Sequence, residues 1–260
     1  MRKVSGFFKR LKIHKKIMLL YGICIAPILL LLCIMDIWIM GRAVINNIRM
    51  SVENNMDVVI NQIAVKTNSM RNCANITVMY FNELDFLRSG SEETLSDLAR
   101  HNQILKKMNY ASSVFKDVDG LLFVDQENNI YGITPQIEEI WQEKDRSELL
   151  WTMQQHGGEA VWFPMNAENS ITESKSELTL TMGKNIVDIS SGERLGVLFV
   201  TLKESSLEEL YSSLKLSEHS YYVLVSEDGI VVSSPDKEEV GQSYTIKDMW
   251  GEDRKIEGYL

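Results

Sequence analysis

The chain has 260 residues, and its 27 Lys and Arg against 36 Asp and Glu give a formal net charge of −9 at pH 7. This balance excludes the basic surface on which nucleic-acid binding depends, so no nucleic-acid partner is expected. Hydrophobic residues make up 45% and charged residues 24% of the chain, with 4 Pro and 15 Gly, which excludes disordered and collagen-like proteins.

The amino-terminal region has the charge and hydropathy pattern of a membrane anchor. Residues 1–16 contain 7 Lys or Arg and no acid, whereas residues 41–260 contain 20 bases and 35 acids. Residues 17–40 are apolar apart from Asp36, and a helix of 24 residues is about 36 Å long, enough to cross a hydrocarbon layer of about 30 Å. We therefore predict a transmembrane helix at residues 17–40, with the lipid bilayer as its partner.

The basic flank predicts the orientation of this helix, with a cytoplasmic tail at residues 1–16 and everything after residue 40 outside the cytoplasm. A cleaved signal peptide is the alternative, but its apolar region is about 7–15 residues long and ends in small residues, and neither feature fits. Cys24 and Cys33 fall in the membrane segment, which leaves Cys73 alone outside, so no internal disulfide is predicted.

A long amphipathic stalk helix is predicted at residues 41–88, because no Gly or Pro interrupts residues 42–89. Its far half is expected to pack against a domain core, and nearer the membrane a seam with a second chain is an equal alternative. Apolar or small residues recur there at helical steps of three and four, at Val52, Met56, Val59, Ile63, Thr67, Met70, Ala74, Val78 and Phe81.

A membrane-distal α/β subdomain is predicted at residues 89–203. Ser89 and Glu92 have the spacing of a capping box that begins a second helix. Two strands follow at 121–124 and 130–133, and a helical stretch from about Ile137 to Gln155 comes next. The remaining strands are predicted at 160–163, 178–187 and 195–202, and the polar segment 164–177 is predicted to be a loop at the mouth of the sheet.

A smaller membrane-proximal subdomain is predicted at residues 204–260. It contains a helix at 205–214 and strands at 221–226 and 230–234, and the pair Asp228 and Gly229 is typical of a hairpin turn between strands. Because two strands form a poor sheet by themselves, this subdomain is expected to be incomplete in the sequence given.

These segments, in this order, resemble the outer part of a YesM-like sensor histidine kinase. The resemblance covers essentially the whole chain and is most specific from Gly183 to Gln242, where strand, hairpin, strand, helix, strand and Asp-Gly hairpin follow one another. The earlier segments DGLLFVDQENNIYG (119–132) and GGEAVWF (157–163) are less specific. Chemoreceptors and diguanylate cyclases have similar input domains, so the fold is more secure than the output.

The resemblance implies a mixed α/β fold with two PAS-like, double Cache antiparallel-sheet subdomains on a long helix. It also implies a bacterial cell-membrane location, a homodimer, and a small-molecule ligand or solute-binding protein as partner, with oligosaccharide uptake as the context. An AraC-type response regulator is implied only if a kinase follows residue 260. A second membrane helix, a HAMP linker and the kinase usually follow in this family, and none of its catalytic residues is assigned to this chain.

The residues favour binding over catalysis. No metal-ligand spacing, nucleophile elbow or phosphate-binding loop occurs in the sequence, so no enzymatic activity, cofactor or metal is expected on this chain. A small-molecule pocket needs aromatic and apolar walls with a few polar groups, and the distal subdomain contains such residues. The candidate ligand-binding residues are Asp125, Tyr131, Trp141, Arg146 and Trp162.

Two further points concern these candidates. The alternative for each tryptophan is that it packs in the core, since large aromatic residues are mostly buried. The Arg-x-x-Trp pattern of some amino-acid-binding double Cache domains is absent, because Arg146 is followed by tryptophan only at Trp151. The expected function is therefore ligand sensing for a two-component kinase, in the context of carbohydrates. The alternatives are a chemoreceptor or diguanylate cyclase input domain, or a stand-alone membrane-anchored binding protein.

Overall fold

A computed structural model of the chain describes residues 13–87, 96–143, 146–165, 169, 171, 177–212, 214, 221–226 and 229–243. The chain divides into two compact units, Met1–Asp57 and Val58–Leu260. The helices and strands are α1 (Ile13–Phe81), a 3-10 helix (Asp85–Leu87), α2 (Asp97–Val114), β1 (Gly120–Asp125), β2 (Ile130–Gly132), α3 (Pro135–Glu143), α4 (Ser147–Gln155), β3 (Ala160–Phe163), β4 (Thr179–Val187), β5 (Arg194–Lys203), α5 (Glu204–Tyr211), β6 (Leu224–Val225) and β7 (Val231–Ser233).

Helix α1 contains both the predicted membrane helix and most of the predicted stalk helix, with Pro27 inside it. Within the described residues it is the one helix long and apolar enough to cross a membrane, by length and composition, and none of its apolar window is buried within the chain. Residues 1–12 of the predicted basic tail lie outside the described residues.

The predicted end of the stalk helix at residue 88 is wrong, because α1 ends at Phe81. The Asn82 side chain follows the last turn, where its Nδ2 donates to the carbonyl oxygens of Val78 and Val187, both at 2.9 Å. Its Oδ1 accepts from the backbone N–H of Ile189 at 2.7 Å. One amide thus satisfies backbone groups on the helix, at the last residue of β4 and just after β4, which joins the end of α1 to the sheet.

The prediction that the far half of this helix packs against a core is confirmed. Val59, Ile63, Met70, Ala74 and Phe81 are all buried. These positions lie on one side of the helix, as steps of three, four and seven residues require.

Helix α2 begins where Ser96 caps it, since the Ser96 hydroxyl accepts from the backbone N–H of Ala99 at 3.3 Å. The predicted capping box of Ser89 and Glu92 lies outside the described residues. Ile104 and Met108 are buried in α2, whereas Leu98 is exposed.

Strands β1 to β5 form one antiparallel sheet in the order β2-β1-β5-β4-β3. β1 pairs with β5 in the register Phe123↔Leu198, and β3 pairs with β4 in the register Trp162↔Met182. The predicted strand at 160–163 is confirmed without change, and the other predicted strands of this sheet differ by one or two residues at their ends. Most of the predicted loop 164–177 lies outside the described residues.

The single helical stretch predicted from 137 to 155 is wrong, because α3 and α4 are separate helices. Arg146 precedes α4 with φ −110° and ψ 12°, which is not helical. The sequence supplies the reason, since no apolar residue occurs between Trp141 and Leu149 to continue a buried stripe. Two short helices can each turn an apolar face to the sheet.

The two faces of the sheet bury different cores, because successive side chains of a strand point to opposite sides. One face carries Leu121 and Phe123 and packs against α1 and α2, in a core that includes Phe81 and Met108. The other face carries Leu122 and Val124 and packs against α3 and α4, in a core that includes Trp141, Met153, Val197 and Phe199. We call these the α1–α2 face and the α3–α4 face.

The second sheet consists of β6 and β7, with an isolated bridge between Ile230 and Ser243. The strand predicted at 221–226 is therefore too long, and the helix predicted at 205–214 ends at Tyr211. Gly229 has φ 79°, which suits the glycine of the predicted hairpin, while 227–228 and 244–260 lie outside the described residues.

A buried carboxylate joins α5 to this second sheet. Glu204 is 3% exposed, and its Oε1 accepts from the Ser233 hydroxyl at 2.5 Å. Lys237 forms ion pairs with Glu204 and, at 2.7 Å, with Glu208. Burial alone would lower the pKa of Lys237, but hydrogen bonds and charges from both carboxylates outweigh it and raise the pKa. The arrangement holds the turn after β7 against α5.

Candidate pocket on the α3–α4 face

A pocket of 380 Å³ lies between the β1–β2 hairpin and helices α3 and α4. Its volume falls in the usual range for small-molecule sites. Three apolar side chains and five with polar groups line it: Val124, Asn128, Ile130, Trp141, Gln142, Arg146, Ser147 and Leu150.

The hairpin positions one wall of the pocket. Val124 and Ile130 are direct partners in the β1–β2 register, so their side chains stand side by side on the α3–α4 face. Asn128 lies in the turn between them with φ 63°, a left-handed conformation that asparagine adopts more readily than most residues. The turn therefore places a side-chain amide at the edge of an apolar wall.

Trp141 and Arg146 form the opposite wall, and each is 5% exposed. The Trp141 ring centroid lies 5.0 Å from that of Phe199, and the Arg146 guanidinium carbon lies 5.5 Å from the Trp141 ring. The contacts with Phe199 and Arg146 hold the Trp141 indole in place. A guanidinium near an aromatic face is in turn stabilised by the ring's charge distribution. A planar cation with fixed donors can bind hydroxyl, carbonyl or carboxylate oxygens of a ligand.

The end of α4 is attached to the sheet by Asn185, which is 3% exposed in β4. Its Nδ2 lies 2.7 Å from the carbonyl oxygens of Met153 and His156 and 2.8 Å from that of Gly157. Met153 lies in the last turn of α4, and His156 and Gly157 follow the end of the helix, where backbone carbonyls lack helical partners. Asn185 thereby holds the helix that carries Ser147 and Leu150 into the pocket.

Of the five predicted ligand-binding residues, the structure brings Trp141 and Arg146 together in the pocket and places the other three elsewhere. Asp125 and Tyr131 belong to the α1–α2 face, where the Tyr131 hydroxyl donates to Asp125 Oδ2 at 3.0 Å. Trp162 also packs against that core, with the Arg71 guanidinium carbon 5.5 Å from its ring. A single ligand in the pocket cannot contact both sets.

Asp125 is occupied by contacts within the chain. Its Oδ1 accepts from the backbone N–H groups of Glu127 at 2.9 Å and Asn129 at 2.8 Å, and its Oδ2 accepts from Asn129 Nδ2 at 2.9 Å. Burial, followed by the charge and hydrogen bond of Asp125, raises the pKa of Tyr131 above its ordinary value. The phenol is therefore a protonated donor to a carboxylate that organises the turn.

Six lining residues were missed by sequence reasoning: Val124, Asn128, Ile130, Gln142, Ser147 and Leu150. Strand alternation supplies a signal that could have found two of them, because Val124 and Ile130 adjoin Asp125 and Tyr131 but point to the other face. Asn128 shows no such signal, since its role depends on the turn geometry.

Other reactive groups in the described part of the chain form no catalytic arrangement. No group of three or more His, Cys, Asp or Glu residues able to hold a metal ion occurs among the described residues. Burial raises the pKa of the Cys73 thiol to about 12, opposed by its hydrogen bond with Thr77, so this thiol stays protonated. Burial also raises the pKa of Asp119, whose Oδ2 accepts from the backbone N–H of Lys203 at 2.6 Å.

The sequence profile of a family described as "Cache domain" matches residues 40–259. The chain belongs to the Cache domain family. The mixed α/β fold, with its long amino-terminal helix and antiparallel PAS-like sheet, is the Cache fold. The match begins at the end of the predicted membrane helix, so this Cache domain occupies the part of the chain that carries the pocket.

Solved structures similar to this Cache domain include ligand-binding domains of chemoreceptors. The Pseudomonas fluorescens CtaA domain in complex with L-alanine is 14% identical, with 78% of this chain and 76% of that chain covered and a TM-score of 0.47. The Campylobacter jejuni Tlp3 (CcmL) domain with isoleucine is 12% identical, with 76% of each chain covered and a TM-score of 0.44. The Pseudomonas aeruginosa PctB domain with L-Gln is 16% identical, with 71% and 69% covered and a TM-score of 0.40. No curated protein sequence matches this chain.

Proposed function

We propose that this Cache domain is the extracytoplasmic ligand-sensing input region of a membrane-bound, homodimeric sensor histidine kinase, and that its ligand is a carbohydrate. The amino terminus lies in the cytoplasm, residues 17–40 cross the membrane, and the pocket faces the exterior. The distal subdomain extends over residues 89–203 and the proximal subdomain of a double Cache arrangement begins at residue 204. The positive-inside rule supports this orientation.

The pocket on the α3–α4 face is the observation that carries the proposal. It combines apolar walls with amide, hydroxyl and guanidinium groups, from Asn128, Gln142, Ser147 and Arg146. A sugar presents both hydroxyl groups and apolar C–H faces, so such a mixed lining suits it. The small exposed fraction of Trp141 leaves only part of its indole for stacking, and the polar groups carry most of the recognition.

The sequence resemblance to the kinase family is what supports a kinase output, because the order of elements is shared with other input domains. The run from Gly183 to Gln242, which resembles the kinase family most specifically, folds as a strand, a hairpin, a strand, a helix and a second two-stranded sheet. A ligand can change signalling only if it binds two arrangements of the domain with different affinity. The output is tested by measuring autophosphorylation of the protein as it is made in the cell, with and without ligand.

Ligand binding is tested by thermal unfolding of the full chain in nanodiscs against mono-, di- and trisaccharides, including acidic oligosaccharides, and against L-amino acids. A sugar at 100 times its dissociation constant stabilises the folded state by about 2.7 kcal/mol. Stabilisation by amino acids and not by sugars would show that the ligand is an amino acid and not a carbohydrate. Stabilisation by neither class, with or without a solute-binding protein, would contradict the proposal of ligand sensing.

Three variants locate the binding. Asn128→Gly removes a lining side chain at a residue whose positive φ glycine accepts without strain, so the fold is retained while affinity falls. Trp141→Phe alters the pocket, and the matched control Trp162→Phe alters a tryptophan on the other face of the sheet. Equal affinity losses in the two tryptophan variants would contradict binding on the α3–α4 face.

A further inference from the structure

The Glu138 side chain of α3 closes the open edge of strand β2. β2 is the first strand in the order of the sheet, so a partner strand pairs with it on one side only. Because the N–H of Ile133 bonds to Leu121 of β1, strand alternation directs the N–H of Gly132 away from β1. Glu138 Oε1 accepts from this N–H at 2.8 Å. A backbone donor at a sheet edge would otherwise need water or another chain as its partner.

Gly132 allows the first turn of α3 to lie close to this edge. A Cβ at residue 132 would lie 2.9 Å from Glu138 Cγ, 3.0 Å from the backbone oxygen of Thr134 and 3.2 Å from the Glu138 backbone nitrogen. These distances are shorter than ordinary van der Waals contact, so a side chain at residue 132 would push α3 away. His101 Nε2 of α2 lies 3.9 Å from Glu138 Oε1, which is beyond hydrogen-bond distance, so among the described residues Gly132 is the donor to that oxygen.

The bond between Glu138 and Gly132 joins two walls of the pocket. Strand β2 supplies Ile130 to one wall, two residues before Gly132, and α3 supplies Trp141 and Gln142 to the other. Residues 141 and 142 lie three and four positions after Glu138, so they follow it by one turn on the same side of the helix. Fixing Glu138 on β2 therefore fixes the distance between Ile130 and Trp141.

The third element of the pocket is attached to a different strand. Asn185 of β4 holds the end of α4, which supplies Ser147 and Leu150 to the lining. Loss of the Glu138 contact is therefore expected to move α3 relative to the β1–β2 hairpin while α4 stays in place. The effect of a Glu138 variant on the pocket can then be measured at Trp141.

We propose that Glu138 is a positioning residue of the pocket, and that ligand affinity depends on its hydrogen bond with Gly132 although Glu138 itself does not line the pocket. This inference rests on the proposed ligand binding on the α3–α4 face. Binding groups recognise a ligand well only when their supporting contacts hold them within about 0.5 Å of the productive geometry, and a misplacement of about 1 Å is costly. Glu138 supplies this support to Trp141 and Gln142.

Fluorine NMR at Trp141 tests the positioning without any ligand. The full chain is labelled with 5-fluorotryptophan in nanodiscs, and Trp141→Phe identifies the Trp141 resonance. Glu138→Ala removes the acceptor and is expected to shift this resonance by more than its linewidth, whereas Glu138→Gln keeps an acceptor oxygen and should restore it. Gly132→Ala, whose Cβ would displace Glu138, should also shift the resonance. The matched control is Glu139→Ala, which removes an exposed carboxylate from the next residue of α3 and should leave the resonance in place.

Affinity and thermal unfolding separate positioning from a purely structural role. The probe is the compound that stabilises the full chain most among the mono-, di- and trisaccharides and L-amino acids of the thermal screen. Glu138→Ala is expected to weaken binding of this probe about tenfold, because the walls of the pocket are no longer held in place. Its Tm should fall by only about 2–4 °C, since one hydrogen bond is lost. Glu138→Gln should restore the affinity.

The outcomes separate this inference from the proposed function on which it rests. An unchanged Trp141 resonance or an unchanged affinity in Glu138→Ala would overturn the inference and leave the pocket as the ligand site. A Glu138→Gln variant that binds as weakly as Glu138→Ala would show that the hydrogen bond with Gly132 is not the cause. If no compound of the screen binds, the proposed function fails and the role of Glu138 in affinity fails with it, while the Trp141 resonance still shows whether Glu138 holds α3 in place.

Discussion

Asp125→Ala is expected to destabilise this Cache domain without weakening ligand binding, because the carboxylate organises the β1–β2 turn from the α1–α2 face. Asp125 is 8% exposed and accepts four hydrogen bonds, two from backbone N–H groups and two from the side chains of Asn129 and Tyr131. The expected cost follows from where each donor lies after the carboxylate is removed.

The backbone donors of Glu127 and Asn129 lie in an exposed turn, so water replaces the carboxylate there and each lost bond costs about 0.5–1.5 kcal/mol. The Tyr131 hydroxyl belongs to a residue that is 4% exposed, and a buried hydroxyl without a partner costs about 1–3 kcal/mol. These three losses add to about 2–6 kcal/mol. For a unit of the size of Val58–Leu260 this lowers Tm by about 4–24 °C.

Thermal unfolding of the full chain, followed by tryptophan fluorescence, measures this loss. A double-mutant cycle with Tyr131→Phe isolates the hydroxyl–carboxylate bond, and a coupling of about 1–2 kcal/mol is expected. Glu139→Ala, which removes an exposed carboxylate from α3, serves as the control and should change stability by no more than about 0.5 kcal/mol. An unchanged Tm for Asp125→Ala, or a lower ligand affinity at unchanged stability, would refute the assignment of Asp125 to folding.

Three further variants probe the sheet, the attachment of α4 and the second subdomain. Gly196→Ala places a Cβ 2.4 Å from the backbone oxygen of Val124 and should cost about 2–3 kcal/mol in chemical unfolding, whereas Gly158→Ala has open space and should be neutral. Asn185→Ala releases the last turn of α4. It should lower the free energy of unfolding by about 2–3 kcal/mol, and with it Tm, and it should also lower ligand affinity. Burial is the main cause that raises the pKa of Tyr211 from 10.0 to about 12, so its contribution to stability is complete below pH 10 and is lost as pH rises towards 12. Tyr211→Phe should flatten that part of the stability curve.

Each of these has a contrary result. Equal stabilities of the two alanine variants would show that the sheet yields at Gly196 without strain. A loss of stability in Asn185→Ala with full ligand affinity would separate α4 from the pocket. An alkaline stability curve that is identical with and without the Tyr211 hydroxyl would mean that its ionisation is not linked to unfolding.

Elements with strong local signals were predicted well from the sequence. Gly158 and Pro164 flank the strand at 160–163 and mark where it can begin and end. The apolar stripe on α1 is long enough to determine which face of the helix is buried. The ends of α1 and the division between α3 and α4 depend on tertiary contacts. At the end of α1, Asn82 bonds to Val187 in β4 and to Ile189 after β4, which are distant in sequence, and no local pattern reports those contacts.

The candidate site was predicted in part, for a reason that follows from strand geometry. Trp141 and Arg146, which residue type predicts as ligand contacts because aromatic and cationic side chains are typical of binding pockets, line the candidate pocket. Residue type alone does not assign a face, so Asp125, Tyr131 and Trp162 were grouped with them although alternation along β1, β2 and β3 directs these side chains to the α1–α2 face. The apolar lining residues carry no chemical signal that distinguishes them from core.

Hydrogen–deuterium exchange of the full chain with the most stabilising sugar or amino acid tests the central claim most directly. If the ligand binds in the pocket on the α3–α4 face, exchange should slow in the β1–β2 hairpin and in residues 141–150, and should be unchanged at Trp162 and along α2. Slower exchange confined to α1 and α2, with none in the hairpin or in residues 141–150, would contradict the account.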